Sequence, residues 1–356
     1  MYRGPQYRQQ SADCAIRGPP QVAVKARGGG RLSSPPAGSS FAGSSFAGVP
    51  HSLAALHCTP RSALGRWRTE EHMPELPEVE IMTRNLAAWS EGRQVVSVAV
   101  TDPRLDMGGL VAWARRCGAA RQRVIKVSRR AKFTVMEVGD RAVTDVVLIH
   151  YRMTGRVVRE SPGVRKGQRL VLTLAPAPGL PHHVIYDDPR RLGTVEILTP
   201  QAFEDWRRPS KRMGPEPWPV ERGVDFWKAR LSSARGAIKP ALMDQGRVAG
   251  LGNIAASEIL WRAQIHPWSV PQTLSDSDWK RLSEAVPAFI EDTIEREGGD
   301  EIAYVNSRGG SQRGVPSPFH VYRCEGGSCP RCSEPICAAR QAGRSTFWCR
   351  SCQPTP

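Results

Sequence analysis

Met73-Pro74-Glu75-Leu76-Pro77-Glu78-Val79-Glu80 is where this 356-residue chain changes character. Behind it, Pro77 suits the first position of a helix, because a proline there gives up an amide that no helical carbonyl would accept. Val79, Met82, Leu86 and Trp89 then recur at helical spacing, which predicts a helix through about Ser90. Ahead of it, residues 1–72 are rich in Arg, Gly, Pro and Ser, with a short repeat at Ser39–Gly43 and Ser44–Gly48. That composition holds too little apolar surface to offset the entropy of folding, so a disordered extension is expected. It also resembles an organelle transit peptide. The reading adopted here is that translation starts at Met73, or that processing exposes Pro74.

The chain carries 50 Lys+Arg against 34 Asp+Glu, a net charge of +16. Nine basic and three acidic residues lie in the first 72, so +10 remains on the rest. The basic character therefore belongs to the folding part as well, and it points to a polyanionic partner, nucleic acid in the first place. No run of 18 apolar residues occurs, so no membrane helix is expected.

Short β-like runs follow the first helix: Val95–Val100, Arg123–Val127, Phe133–Val138, Val146–His150, Leu170–Leu174, His183–Tyr186 and Thr194–Leu198. Gly, Pro and Asp turns separate them, a pattern of a β-sandwich or barrel. The Pro- and Trp-rich stretch 200–222 reads as an interdomain linker. Beyond it Phe226–Leu231, Ile238–Met243, Asn253–Arg262 and Asp276–Glu297 read as helices, and 298–320 as a long Gly/Ser loop. The turn before Asn253, in Gly246–Pro267, exposes backbone N–H groups at a positive helix end, which suits a phosphate. Asn253 is read as the N-cap of that helix.

Four of the nine cysteines form two close pairs, Cys329-x2-Cys332 and Cys349-x2-Cys352, with 16 residues between them. Two thiolate pairs on tight turns can converge on one tetrahedral Zn²⁺, and four sulfur ligands leave it a structural, closed site. Such cysteine usage fits a reducing cytoplasm better than disulfides. Arg344 and Arg350 flank Phe347 and Trp348 between the pairs, and a rigid hairpin carrying arginines can enter a nucleic-acid groove.

Taken in order, M-P-E-L-P-E-V-E at 73–80, R-R-A-K-F at 129–133, D-P-R-R-L-G at 188–193, L-M-D-Q-G-R-V-A-G-L-G-N at 242–253 and the final R-S-T-F-W-C-R-S-C resemble the bacterial formamidopyrimidine-DNA glycosylase and endonuclease VIII family. The resemblance runs from residue 73 to about 353. It implies an α+β fold: an N-terminal catalytic β-sandwich with a flanking helix (73–205), a helix–two-turn–helix domain (222–310) and a C-terminal β-hairpin zinc finger (318–354). It implies a bifunctional base-excision repair glycosylase and abasic-site lyase, acting on double-stranded DNA with damaged or abasic nucleotides. The protein is expected to be a monomer in the bacterial cytoplasm, associated with the nucleoid.

The resemblance also assigns roles. Pro74 would be the nucleophile, Glu75 the acid/base with Glu78 in support, and Lys132 the β-elimination lysine. Arg344 would serve δ-elimination and phosphate contact. Lys239 and Asn253 would hold phosphates, while Met153, Arg190 and Leu192 would fill the gap left by a flipped base. Cys329, Cys332, Cys349 and Cys352 would hold one structural zinc.

Three departures bear on the lesion. Leu192 stands where the purine-cutting branch has phenylalanine, Arg165-Lys166-Gly167-Gln168 replaces a histidine-containing stretch, and the loop at 300–318 differs from the usual pattern. The opening E-L-P-E favours oxidised purines such as 8-oxoguanine and formamidopyrimidines. The alternatives are an oxidised-pyrimidine glycosylase of the endonuclease VIII type, or a non-catalytic damaged-DNA-binding protein if residues 1–72 are retained, since an internal proline nitrogen is an amide and cannot attack.

Overall fold

Leu76, Val79, Met82, Leu86 and Trp89 form one buried stripe of α1 (Leu76–Ser90), with Pro77 in its first turn. In the computed structural model, residues 73–106, 109–119, 121–160, 167–299 and 319–356 are described, all within the unit Leu56–Pro356. The extension 1–72, Arg165 and Lys166, and the loop 300–318 lie outside the described residues.

After α1 come β1 (Val95–Val100), α2 (Leu110–Ala119), β2 (Arg123–Arg130), β3 (Phe133–Gly139), β4 (Val143–His150), β5 (Arg156–Arg159), β6 (Gln168–Leu174), β7 (His183–Asp187) and β8 (Thr194–Leu198). They make two antiparallel four-stranded sheets, ordered β1-β6-β7-β5 and β2-β3-β4-β8. Leu172, Val184 and Tyr186 of one sheet and Met136, Val147, Ile149 and Val195 of the other line the same narrow internal space, closed by Leu86 and Trp113. Two sheets sharing one apolar interior are a sandwich, and α1 flanks it, so the expected fold class holds.

Then follow α3 (Pro200–Arg207), α4 (Val224–Leu231), α5 (Ile238–Met243), α6 (Asn253–Arg262), α7 (Asp276–Glu297), β9 (Ile336–Gln341) and β10 (Arg344–Cys349). α3 corrects the reading of 200–222 as linker throughout. Thr199 caps it, its hydroxyl accepting from the Ala202 amide at 3.2 Å, and Pro200 sits in the first turn. Phe203 and Trp206 then pack on the sandwich's outer face. The short α2 and β5 had no expectation either.

α6 is buried on nearly every side, from Ile254 to Trp261. A short helix that is buried all round is the centre of its surroundings rather than their edge. α5, α7 and β10 all pack against it. Ser275 and Asp278 form a capping box on α7, each side chain serving the other's backbone N–H.

Candidate active site

The first surprise lies at the N-terminus of α6. Asn253, expected as N-cap, is already in the helix; the cap position belongs to Gly252, which has no side chain to offer. The orphan amides are satisfied from the other end of the sequence. Glu75 accepts from Ile254 N and Ala255 N, both at 3.0 Å, so a buried carboxylate sits on the positive end of the helix. Leu76 N donates to Gly250 O at 3.1 Å. A Cβ on Gly252 would stand 2.3 Å from Glu75 Oε1, and one on Gly250, whose φ is +100°, 2.7 Å from Leu76 Cδ1. The glycines of G-L-G-N therefore serve this docking.

Asn253 Oδ1 accepts instead from Lys239 Nζ at 2.6 Å, and the same ammonium donates to Ser345 O at 3.2 Å. Lys239, almost fully buried, thus ties α5, α6 and β10 together. Behind Glu75, the fully buried Glu78 accepts from Glu75 N at 2.7 Å. Burial, reinforced by the Glu75 charge, pushes its carboxyl up to about 8, so Glu78 is mostly protonated at neutral pH.

Two hairpin tips reach the same place. Arg130 pairs with Phe133, leaving Ala131-Lys132 as a two-residue loop with Ala131 at φ +55°. Lys132 is half-buried there; desolvation lowers its ammonium below the usual lysine range, opposed by Glu75 and Glu78 and aided by Arg344. At the other tip Gln341 pairs with Arg344, and Ala342 (φ +48°) and Gly343 (φ +76°) make the turn. Arg344 is exposed.

Glu75, Lys132, Met153, Asn253 and Arg344 all line one cleft of about 790 Å³, with Met73 beside them. Pro74 is buried next to it, its nitrogen in the peptide bond from Met73. Arg190 and Leu192 do not line the cleft; both are exposed on the turn between β7 and β8. His150 was not singled out from the sequence, yet it lines the cleft. Its Nδ1 accepts from Arg152 N at 3.1 Å; burial, with the charges of Arg152 and Lys132, lowers its pKa to about 4. The ring is neutral at pH 7 and carries its proton on Nε2.

Also missed was Glu216, in Gly214-Pro215-Glu216-Pro217. It accepts from Arg129 Nη1 at 2.7 Å, Arg130 Nη1 at 3.0 Å and the Ala131 amide, while Arg129 Nε reaches Glu80 at 2.9 Å. Two prolines around one acid were the only signal, and that is not specific.

The four paired cysteines converge. Their sulfurs all lie within 4.8 Å of one another, with Cys329 and Cys352 at 3.9 Å and Cys332 and Cys349 at 3.4 Å. Four sulfurs on a tetrahedral ion with bonds of about 2.3 Å stand roughly 3.8 Å apart, so the set fits a metal of that kind. Trp261 Nε1 donates to Cys329 Sγ at 3.4 Å, tying the cluster to α6. Glu258, also buried on α6, accepts from the backbone of His320, Val321 and Tyr322 at 2.9–3.1 Å and fixes the chain entering the cluster.

Residues 73–195 match the family model for the formamidopyrimidine-DNA glycosylase N-terminal domain, and 213–303 that for its H2TH domain. The chain belongs to the formamidopyrimidine-DNA glycosylase family. It is 33% identical over 296 residues to the formamidopyrimidine-DNA glycosylase of Heliobacterium modesticaldum, covering 79% of this chain and all of that one. To the Streptococcus pneumoniae protein of the same name it is 31% identical over 284 residues, 79% of this chain and 99% of that one. Among solved structures it resembles Lactococcus lactis Fpg in complex with DNA containing an abasic site (TM-score 0.66, 29% identity, 79% of this chain and 100% of that one). A MutM complex with DNA containing carbocyclic 8-oxo-G matches equally well (TM-score 0.66, 29% identity, 79% and 100%). Among the described residues no helix is long and apolar enough to cross a membrane.

Proposed function

We propose that this member of the glycosylase family removes oxidised purines from double-stranded DNA and cuts the resulting abasic site by β,δ-elimination. The observation that carries the reading is the convergence of Glu75, Lys132, Asn253 and Arg344, from four separate stretches, on one cleft. The names of the relatives and the DNA in the neighbouring structures support it.

The target nucleotide leaves the stack, because its anomeric carbon is out of reach in a duplex. With Met73 removed, Pro74 is a secondary amine, and roughly a tenth of a terminal amine with pKa near 8 is neutral at pH 7. Its lone pair forms the N–C1′ bond as the base leaves with the bonding pair and takes up a proton. The nitrogen gives up its own proton to the Glu75 carboxylate and then opens C1′–O4′, and Glu75 passes that proton to O4′. The iminium acidifies C2′–H. Lys132, with its lowered pKa, is the base that removes this proton as the 3′ phosphate departs. Loss of C4′–H expels the 5′ phosphate, with Arg344 stabilising that leaving group. Asn253 and Lys239 position phosphates, and Met153, Arg190 and Leu192 fill the vacated stack. Cys329, Cys332, Cys349 and Cys352 would hold one zinc, which fixes the β9–β10 hairpin and takes no part in bond-breaking. The working units are 73–205, 222–310 and 318–354, in a monomer of the bacterial cytoplasm.

Sodium borohydride should trap a covalent adduct between abasic or 8-oxoguanine DNA and protein beginning at Pro74, with the link on Pro74. No adduct with either DNA would sink the reading. A second reading rests on the Met73–Pro74 peptide bond: where that bond persists the iminium cannot form, and the chain is a damaged-DNA binder. The intact mass of the protein from cells separates the two.

A further inference from the structure

Met153 and the pair Arg190 and Leu192 sit on different loops, one between β4 and β5, the other between β7 and β8. To act together in one gap they need a fixed spacing. Each loop has a left-handed residue just before its apolar side chain: Arg152 at φ +53° before Met153, and Arg191 at φ +60° before Leu192. Non-glycine residues hold that conformation only where their surroundings enforce it. Each loop then closes on a glycine with no room for a side chain. A Cβ on Gly155 would meet Tyr151 O at 2.5 Å, and one on Gly193 would meet Tyr186 Oη at 1.8 Å.

What enforces both is one fully buried carboxylate. Asp188 Oδ1 accepts from Thr154 Oγ1, next to Met153, at 2.5 Å. Asp188 Oδ2 accepts from Gly193 N, next to Leu192, at 2.8 Å, and from Arg169 Nη1 at 3.3 Å. Arg190 N donates to Thr154 Oγ1 at 3.3 Å, so the threonine hydroxyl gives its proton to Asp188 and takes one from the other loop. The buried Arg169 is fixed in turn by Asp102 Oδ2 at 3.1 Å and by Gly193 O at 3.1 Å. Asp102, which also holds Arg104, lies 3.5 Å from Arg191 Nη1 through the same Oδ2.

We infer that the Thr154–Asp188 hydrogen bond is a positioning bridge that locks the Met153 loop to the Arg190–Leu192 turn, so that the two enter the DNA stack as one wedge. The inference rests on the glycosylase reading above. Thr154 and Asp188 touch no reacting atom. They act through the three residues that would fill the gap, and they should set how well a damaged base is extruded rather than how tightly DNA backbone is held. An acceptor shared between two loops by a charge-assisted hydrogen bond also explains why the leucine at 192 is tolerated 45% exposed: the bridge, not packing, holds it out.

The test uses the protein in the form cells make. Duplex DNA carries an abasic-site analogue with 2-aminopurine opposite it, whose fluorescence rises when the local stack is opened. Thr154→Val keeps the side chain's shape and removes both hydrogen bonds; Thr154→Ser keeps them. The expected result is about a tenfold loss of preference for damaged over undamaged duplex in Thr154→Val, the size of one lost charged hydrogen bond, with a reduced fluorescence rise at saturation. Affinity for undamaged duplex should stay within twofold, Thr154→Ser should match the parent, and Asp188→Asn should follow Thr154→Val. Parent-like fluorescence and preference in Thr154→Val would overturn the bridge. So would an equal loss on damaged and undamaged duplex, which marks a purely structural role. A parent that does not distinguish damaged duplex at all would instead overturn the glycosylase reading, and the bridge with it.

Discussion

Two hairpins bring a cation to one cleft, and they are held there by opposite means. The β2–β3 tip presents Lys132 and is fastened by charge: Glu216 takes hydrogen bonds from Arg129, Arg130 and the Ala131 amide, and Glu80 takes one more from Arg129. The β9–β10 tip presents Arg344 and is fastened at its far end by four cysteines. The first device is made of groups a sandwich domain already has, and it locks the lysine to the segment that joins it to the helices. The second makes up for a module too small to bury a core of its own, as metals do in short domains.

Stripping any metal from the four cysteines should separate the hairpins most widely. A structural zinc contributes on the order of 10 kcal/mol to a small module of this type. Chelation or Cys349→Ser should therefore abolish amide-exchange protection across Arg344–Cys349 while leaving Phe133–Gly139 protected. Equal protection in both hairpins after metal removal would break the comparison.

Next comes Glu216→Ala. It leaves Arg129, only 4% exposed, with one carboxylate fewer beside it. Breaking a buried ion pair from one side costs about 3–5 kcal/mol, which urea unfolding of the zinc-loaded protein would read. Glu216→Gln should cost less, since its oxygen still accepts. A change under 0.5 kcal/mol for the alanine variant would mean the hairpin is held by its strand pairing alone.

The smallest effect concerns the turns themselves. Ala131 bears a left-handed φ without the glycine such a position favours. Ala131→Gly should stabilise by roughly 0.5–1 kcal/mol, read by urea unfolding. A loss of stability there would show that the Glu216 contact relieves the turn completely.

Much of this could be read in the chain before any coordinates. Val95–Val100, Thr194–Leu198, Asn253–Arg262 and Asp276–Glu297 fall where periodicity puts them, because burial of one face imposes the same rhythm on any sequence that folds this way. The paired cysteines were legible from spacing, since metal geometry leaves few ways to arrange four sulfurs. α3 was not legible: eight residues among prolines give periodicity too little length to show. Nor was Glu216, whose partners lie more than 80 residues away.

The start of α6 divides the two kinds of knowledge. By itself the sequence determined that a glycine turn precedes a helix, that a proline and three acids open the folding part, and that four thiols pair. These follow from local backbone preference and ligand chemistry, which act over a few residues. Only the tertiary structure decided that Glu75 caps a helix 179 positions further on, that Asn253 serves Lys239 instead, and that Thr154 and Asp188 join two loops. Such contacts depend on distance in space, and a buried amide or carboxylate takes whichever partner the packing brings to it.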